Sequence, residues 1–230
     1  MNAWSSSTVP TGPRDGKERM AYVVDDDESV RLALDGLLRS IGLRVVTFES
    51  AQDFLGYPRP DVPSCLILDV RLRGESGLAF QEQIGKSGLR MPIVFMTGHG
   101  DIAMTVKAMK AGAVDFLPKP FRDQDMLDAV ANALARDGER LAAEQSSAGL
   151  RAAYESLTPR EREVMAFVVT GLMNKQIAGE MSLSEVTVKI HRGQAMKKMG
   201  ARSVADLVRK SELLGIASES AASAQTRKPH

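Results

Sequence analysis

Between residues 20 and 136, short and mostly apolar runs alternate with segments whose apolar residues recur every three or four positions. The short runs are typical of buried strands, and the longer spacing is typical of amphipathic helices. The predicted strands are Met20–Val24, Arg44–Phe48, Cys65–Leu68, Pro92–Met96 and Val114–Leu117. Because strict alternation of strands and helices favours right-handed crossovers within one sheet, we predict an α/β fold with a five-stranded, doubly wound parallel sheet.

The helical spacing predicts five helices in the same region. They are Val30–Ile41, a short helix capped by Ser50, Leu78–Ile84, Asp101–Ala111 and Asp123–Arg136. Glycine and serine then interrupt a sequence that otherwise favours helix, which predicts a partly helical linker over residues 137–152. Residues 1–19 and 217–230 lack periodicity and are rich in small and polar residues, which predicts disordered tails.

Residues 153–216 have helical spacing throughout. Thr158 begins a capping-box pattern with proline at the first helical position, and Asn174, Ser184 and Ser203 are candidate caps of three further helices. Four short helices, with a Ser-Leu-Ser turn between the second and the third, favour a small all-α helix-turn-helix domain.

Charge distinguishes the two regions. The 230-residue chain has a net charge of +1, but residues 20–136 carry 13 basic and 16 acidic side chains, whereas residues 158–215 carry 10 basic and 6 acidic ones. A basic C-terminal region suggests contact with nucleic acid, and ordinary scatter of surface charge is the alternative. The single cysteine, Cys65, lies in an apolar run, which predicts a buried thiol and a reducing compartment. With no membrane-length apolar run and no signal-peptide core, we expect a cytoplasmic protein without membrane contact.

Three carboxylates are expected at one edge of the sheet. Asp25 and Asp26 follow the first predicted strand and Asp69 follows the third, and ligands of doubly wound sheets bind at the carboxyl ends of the strands. Like charges this close need a cation, and oxygen-only ligands suit Mg²⁺. Thr97 and Lys119 follow the fourth and fifth strands and can bind phosphate oxygens. The set predicts a phosphoryl-transfer site with Asp69 as the acceptor.

Each of these residues also has a simpler interpretation. The acidic run Asp25–Glu28 suits any helix N-terminus, Thr97 can cap a strand end, and Lys119 can be a surface lysine. Phe116 is a core residue by its pattern, and the Lys119–Pro120 bond is a candidate cis peptide. The occurrence of all these groups at successive strand ends favours the phosphoryl-transfer site.

Several motifs resemble the receiver domain of two-component response regulators. They are Val24-Asp25-Asp26-Asp27, Leu68-Asp69, Met96-Thr97-Gly98-His99-Gly100 and the run from Ala111 to Phe121. The resemblance covers about residues 20–136 and implies a flavodoxin-like fold.

The resemblance also implies a role for each matching residue. Asp69 is the expected phosphorylated residue, and Asp25, Asp26, Asp69 and the Arg71 carbonyl are the expected Mg²⁺ ligands. Thr97 and Phe116 correspond to the switch pair, and Lys119 corresponds to the invariant lysine of the family. Arg73 departs from the family, which often has proline there. Arg71 and His99 flank the site; the simpler interpretation is that they are solvated loop residues, and the alternative is that they tune the lifetime of the phosphoryl group.

The predicted third helix of the C-terminal region, Glu185–Met199, is basic and suits the major groove of DNA. Together with Leu157–Val164 and Asn174–Ala178, it resembles the LuxR-type helix-turn-helix of the NarL/FixJ class over about residues 153–216. This resemblance places the motif at Met173–Arg192 and gives the helix Ser203–Leu214 a role in dimerisation. The candidate DNA contacts are Thr187, Lys189, Ile190, His191, Arg192 and Lys197.

The expected function is that of a transcriptional regulator and not of a turnover enzyme. A sensor histidine kinase would phosphorylate Asp69, and the phosphorylated chain would form a homodimer that binds double-stranded DNA, with RNA polymerase as a further candidate partner. One alternative is a hydrolase of the haloacid-dehalogenase type, which needs an aspartate where this chain has Arg71. Another is a DNA-binding regulator whose N-terminal domain is an unphosphorylated interaction module.

Overall fold

A computed structural model describes residues 18–72, 75–98 and 102–216 of the chain. The backbone forms two compact units that divide between Leu141 and Ala142, and each unit is described by itself. Within the described ranges, no helix combines the length and the apolar character needed to cross a bilayer.

The N-terminal unit contains the predicted five-stranded sheet. Its strands are β1 (Met20–Val24), β2 (Arg44–Phe48), β3 (Ser64–Asp69), β4 (Ile93–Thr97) and β5 (Asp115–Pro118). The strand order is β2-β1-β3-β4-β5, and every neighbouring pair is parallel. The doubly wound prediction is therefore confirmed, with small shifts in the bounds of β3, β4 and β5. All carboxyl ends of the strands meet at one edge of the sheet.

Five helices cover the two faces of this sheet. They are α1 (Glu28–Ser40), α2 (Ala51–Gly56), α3 (Gly77–Lys86), α4 (Ile102–Lys110) and the part of α5 (Asp123–Glu155) up to Leu141. Side chains alternate along β1 and β3, so that one apolar core lies on each face of the sheet. Because the central strand β3 is buried along its whole length, the residue at its carboxyl end is held firmly in place.

The fifth helix is much longer than the sequence indicates. Its predicted end at Arg136 is wrong, because α5 continues to Glu155 and residues 137–152 are helical throughout rather than in part. A glycine such as Gly138 or Gly149 costs a helix only about 1 kcal/mol relative to alanine, and no proline is present to remove a hydrogen bond.

Asp137 fastens α5 to the sheet just beyond the predicted end. Its side chain is 2% exposed, and its Oδ2 accepts the backbone N–H of Ser64 at 2.9 Å. Arg140 pairs with Asp137 Oδ1 at 2.9 Å. The first turn of the unexpected extension is thus tied to the amino end of β3.

A short antiparallel hairpin after β3 is absent from the sequence prediction. It pairs Arg71–Leu72 with Glu75–Ser76, and strands of two residues are too short to show a period. Some predictions fall outside the described residues: the start of the fourth helix at Asp101, the departure at Arg73, the proposed role of His99, and the tails at 1–17 and 217–230.

The C-terminal unit contains the four predicted short helices. They are α6 (Pro159–Val169), α7 (Asn174–Met181), α8 (Glu185–Lys198) and α9 (Val204–Leu213). They pack around one apolar core that includes Val164, Ile177, Val188 and Leu207. The predicted caps Thr158, Ser184 and Ser203 are confirmed, and Thr158 forms a complete capping box with Glu161.

The cap predicted at Asn174 is wrong. Helix α7 begins at Asn174, and Met173 occupies the N-cap position. The backbone N–H of Met173 donates to Gln176 Oε1 at 2.8 Å, while Asn174 Oδ1 accepts a hydrogen bond from Arg192 at 2.7 Å. The Asn174 side chain therefore joins α7 to α8.

Candidate functional site

Asp25, Asp26 and Asp69 converge at the carboxyl edge of the sheet. Strands β1 and β3 are paired in the register Val24↔Leu68, so that the next residue of each, Asp25 and Asp69, lies at the same level. One carboxylate oxygen from each of the three aspartates lies within 4.8 Å of the others. The convergence of these acids, which the sequence predicts from the strand order, is confirmed.

Lys119 lies between two of these carboxylates. Its Nζ donates to Asp25 Oδ2 at 2.6 Å and to Asp69 Oδ2 at 2.9 Å. The backbone brings it there because β5 pairs with β4, and the Lys119 N–H donates to the Thr97 carbonyl at 2.6 Å. The Lys119–Pro120 bond is cis, as the sequence suggests.

Burial and charge act against each other in this cluster. Asp25 is completely buried; burial raises the pKa of its carboxyl group and the nearby Asp69 carboxylate adds to this, while the hydrogen bond from Lys119 opposes it. Burial alone lowers the pKa of Lys119, but its hydrogen bonds to Asp25 and Asp69 outweigh burial and leave the pKa above its ordinary value. Lys119 is therefore held as a cation beside the two acids.

Asp69 faces an open acidic cleft. The residue is 8% exposed, and its Oδ1 accepts the backbone N–H of Arg71 at 3.1 Å. The cleft has a volume of about 680 Å³ and is lined by Asp25, Asp26, Asp27, Glu28, Arg31, Glu49, Asp69 and Lys119. A dense set of negative charges beside one lysine suits the binding of a divalent cation together with an anionic group.

Two residues that line the cleft, Arg31 and Glu49, are not predicted from the sequence. Arg31, in the first turn of α1, donates from a guanidinium nitrogen to the Asp25 carbonyl at 2.6 Å and so supports the loop that carries Asp26. Glu49 directly follows β2 and lines the same cleft. Glu49 follows β2, which is an edge strand of the predicted sheet. Its position at the carboxyl end of a strand could have identified it from the sequence.

Gly77 lies in close contact with the backbone that follows β3. A Cβ atom built on Gly77 would overlap the carbonyl oxygen of Asp69 and come within 3.1 Å of the Val70 Cα. The Gly77 N–H donates to the Val70 carbonyl at 2.9 Å. The start of α3 thus lies directly against the backbone of Asp69, which leaves no room for a side chain.

Thr97 and Phe116 lie near the cleft on neighbouring strands. Thr97 ends β4 and is fully buried, and Phe116 of β5 pairs in register with Phe95, two residues before Thr97. The Phe116 ring is half-buried, with its centroid 6.3 Å from that of Phe95. The Phe116 ring therefore packs against Phe95 without being enclosed by the core.

The donor set of the cleft fits a magnesium ion. All three aspartates offer carboxylate oxygens, the hard ligands that Mg²⁺ prefers. One oxygen from each of the three aspartates lies within 4.8 Å of the others, so that movement of the side chains can bring all three oxygens around one small cation.

In the C-terminal unit, the six candidate DNA contacts on α8 fall into two groups. Lys189, Ile190 and Lys197 are exposed, whereas Thr187, His191 and Arg192 are half-buried. The hydroxyl groups of Thr187 and Ser184 share a hydrogen bond of 2.8 Å, and Arg192 donates to Asn174. Lys189, Ile190 and Lys197 make neither of these contacts, and their side chains are more accessible to a partner than those of the half-buried group.

The capping box of α6 carries a testable pH dependence. Lys198 Nζ lies 2.7 Å from Glu161 Oε2, and the Thr158 N–H donates to the same oxygen at 2.8 Å; both interactions lower the pKa of Glu161. Glutamine keeps an oxygen for the Thr158 N–H but loses the charge that pairs with Lys198, so Glu161→Gln should lower the free energy of opening of α6 by about 1 kcal/mol at pH 7. Hydrogen exchange resolved to residues 159–169 measures this free energy of opening.

The sign of this effect follows from the lowered pKa. Stabilisation by the carboxylate is fully present above the unfolded pKa of about 4.3 and is lost as the pH falls through the lower folded value. The wild type and Glu161→Gln should therefore converge at acidic pH. Glu163→Gln is the control, since its ion pair with Arg160 is exposed and worth less than about 0.5 kcal/mol. Equal effects of the two substitutions at every pH would contradict this account.

Each half of the chain matches a known protein family. Residues 21–131 match the family model of the response regulator receiver domain, and residues 155–211 match that of bacterial regulatory proteins of the luxR family. The chain therefore belongs to the DNA-binding response regulators of two-component systems, with a receiver domain followed by a LuxR-type domain.

Individual relatives cover most of the chain. It is 57% identical to nodulation protein W of Bradyrhizobium diazoefficiens over 197 residues, and this match covers 86% of this chain and 87% of that protein. It is 49% identical over 198 residues to the response regulator protein TmoT of Ectopseudomonas mendocina, covering 86% of this chain and 90% of TmoT. The solved structure of the response regulator StyR is similar with a TM-score of 0.79, 50% identity, and coverage of 85% of this chain and 98% of that one.

Proposed function

We propose that Asp69 is the phosphoryl acceptor of this regulator and that its phosphorylation controls DNA binding by the C-terminal domain. The observation that carries the proposal is the bridge made by Lys119, whose Nζ lies 2.9 Å from Asp69 Oδ2. A fixed cation beside a carboxylate that faces an open cleft is what an incoming phosphoryl group requires.

Transfer follows from the chemistry of the acceptor. A carboxylate oxygen of Asp69 attacks the phosphorus of a phosphohistidine on a sensor histidine kinase. The new O–P bond forms as the N–P bond breaks, and the imidazole leaves with the electron pair. Lys119 neutralises charge on the phosphoryl oxygens, and the buried Asp25 holds Lys119 in position. The main contribution of the protein is positioning and charge neutralisation.

Receiver domains bind Mg²⁺ at an acidic pocket, and the proposed ligands here are Asp25, Asp26, Asp69 and the Arg71 carbonyl. Bound Mg²⁺ supplies positive charge that offsets both the carboxylates and the phosphoryl group. Asp25 has a second role, because its Oδ1 accepts the Asp27 N–H at 2.9 Å and its Oδ2 accepts from Lys119. Asp26 and Asp69 are the better candidates for direct ligands.

Phosphorylation would act through Thr97 and Phe116. The phosphoryl group adds about 1.5 to 2 negative charges, which attract the Thr97 hydroxyl and leave space that Phe116 fills. This repacking would change the surface of α4, where Val106 and Met109 are 46% and 44% exposed. We propose that two phosphorylated receivers pair through this surface and that α9 contributes to the dimer.

The remaining elements complete the proposed regulator. The exposed Lys189, Ile190 and Lys197 of α8 would contact double-stranded DNA, with Thr187, His191 and Arg192 as flanking groups. RNA polymerase is a further proposed partner, and the cytoplasm is the proposed location. We propose no enzymatic turnover, because Arg71 occupies the position where a haloacid-dehalogenase-type hydrolase needs an acid/base aspartate.

The experiment compares DNA affinity with and without Mg²⁺ and a small phosphodonor, for the wild type and for Asp69→Asn. We expect the phosphodonor to raise the affinity of the wild type about tenfold, within the usual range of coupling between sites, and to leave Asp69→Asn unchanged. Asp53→Asn, an exposed aspartate in α2, is the control and should respond as the wild type does.

An unchanged wild-type affinity would favour the alternative in which the receiver is an unphosphorylated interaction module. Equal stimulation of Asp69→Asn would show that the acceptor lies elsewhere. Steady release of phosphate over many turnovers would instead favour the hydrolase.

A further inference from the structure

The exposed face of α8 contains two large apolar side chains within a basic helix. Val186 is 69% exposed and Ile190 is 58% exposed, and a separation of four residues puts them on one face of the helix. Gly193 and Lys197 continue this face at seven and eleven residues from Val186, and both are exposed. We call these four residues the outer face of α8.

The outer face takes no part in the core of the domain. The buried positions of α8 are Val188 and Ala195, which lie on its other side. Val186 and Ile190 therefore remain in water in the free protein, although burying either would be favourable. Their use in binding would explain why apolar groups are present here.

We propose that Val186 and Ile190 recognise the methyl groups of two thymines in the major groove of each DNA half-site. The inference rests on the proposed docking of α8 in that groove. The C5-methyl of thymine is the apolar group that base pairs present in the major groove, and apolar side chains recognise it by contact. Val186 lies in the first turn of α8, the part of a recognition helix that reaches base edges.

Charge and size favour DNA over a protein as the occupant of the outer face. Lys189 and Lys197 are exposed beside the two apolar side chains and are suited to phosphates. A stable protein interface buries about 800 Å² on each partner, of which two side chains supply a small part. Gly193 has no neighbour within 4 Å of its Cβ position, so that the helix can approach a large partner closely there.

The helix geometry predicts the spacing of the two thymines. Four residues of an α-helix rise about 6 Å, and successive base pairs rise about 3.4 Å. With α8 lying along the groove, the methyl groups contacted by Val186 and Ile190 belong to bases about two steps apart.

The test uses the full chain with Mg²⁺ and a small phosphodonor. High-affinity duplexes are selected from a randomised pool, and each thymine of the selected site is then replaced by deoxyuridine, which lacks only the methyl group. We expect the wild type to lose about fourfold in affinity at each of two positions per half-site, the value of one buried methyl group.

The side-chain variants assign each methyl group to its partner. Val186→Ala should become insensitive to deoxyuridine at one position and Ile190→Ala at the other, because the contact is already lost. Leu32→Ala, which removes an exposed apolar side chain of α1 far along the chain from α8, should keep the sensitivity of the wild type at both positions.

Two results would overturn the inference while leaving DNA binding intact: no loss at any deoxyuridine, or full sensitivity retained in Val186→Ala and Ile190→Ala. Selection of no duplex at all would contradict both this inference and the proposed function.

Discussion

Replacing Lys119 by Met should lower the free energy of unfolding of the receiver by about 3 kcal/mol in Mg²⁺-free buffer. Removing one partner of a buried ion pair costs about 3 to 5 kcal/mol, because the other charge is left without compensation. The carboxylate left without its partner is chiefly Asp25, because Asp25 is completely buried whereas Asp69 keeps some access to the cleft. Hydrogen exchange of β1 and β3 measures the effect within the domain.

Two comparisons make the Lys119 prediction specific. Lys107→Met is the matched control, because Lys107 makes an exposed ion pair with Glu82 at 3.6 Å, which is worth less than about 1 kcal/mol. Adding Asp25→Asn to Lys119→Met should recover part of the stability, since an amide can remain buried without a charged partner. If Lys119→Met and Lys107→Met destabilise the domain equally, Lys119 does not compensate the buried acid.

Replacing Gly77 by Ala should destabilise the receiver by about 3 kcal/mol, the upper part of the usual range for overpacking. The new methyl group would overlap the carbonyl oxygen of Asp69, and main-chain atoms cannot move aside as a flexible side chain can. The loop that carries Asp69 must therefore shift, and we expect phosphorylation by a small phosphodonor to slow at least tenfold. Hydrogen exchange of β3 and the rate of phosphoryl labelling measure the two effects.

The same helix supplies the control for Gly77. Gly85 of α3 has nothing within 4 Å of its Cβ position, so Gly85→Ala should stabilise the helix by about 0.5 to 1 kcal/mol and leave the labelling rate unchanged. A destabilisation by Gly85→Ala as large as that by Gly77→Ala would show that the close contact with Asp69 is not the cause.

The sequence is most informative where the residue pattern repeats. The apolar run that ends at Asp69 and the similar run before Asp25 predict two buried strands, and the order of a doubly wound sheet makes these strands neighbours. The meeting of Asp25, Asp26 and Asp69 follows from that order alone. Lys119 follows in the same way, because the fifth strand must lie at the edge beyond the fourth.

The pattern of residues along the chain cannot predict features that depend on single tertiary contacts. The buried Asp137 stabilises the extension of α5 through the backbone of Ser64, 73 residues away in the chain, and local propensity cannot show this. The contact of Gly77 with the Asp69 carbonyl depends on how the start of α3 meets β3. Asparagine is a common helix cap, but the side chain of Asn174 instead accepts a hydrogen bond from Arg192.

The central claim is that the acids and Lys119 make Asp69 the phosphoryl acceptor. The most direct test incubates the full chain with Mg²⁺ and a small phosphodonor, reduces the acyl phosphate with borohydride and locates the resulting homoserine by peptide mass spectrometry. We predict homoserine at position 69 and at no other aspartate, and none when Mg²⁺ is removed. Homoserine at another aspartate, or no modification of the folded chain in the presence of both reagents, would contradict the account.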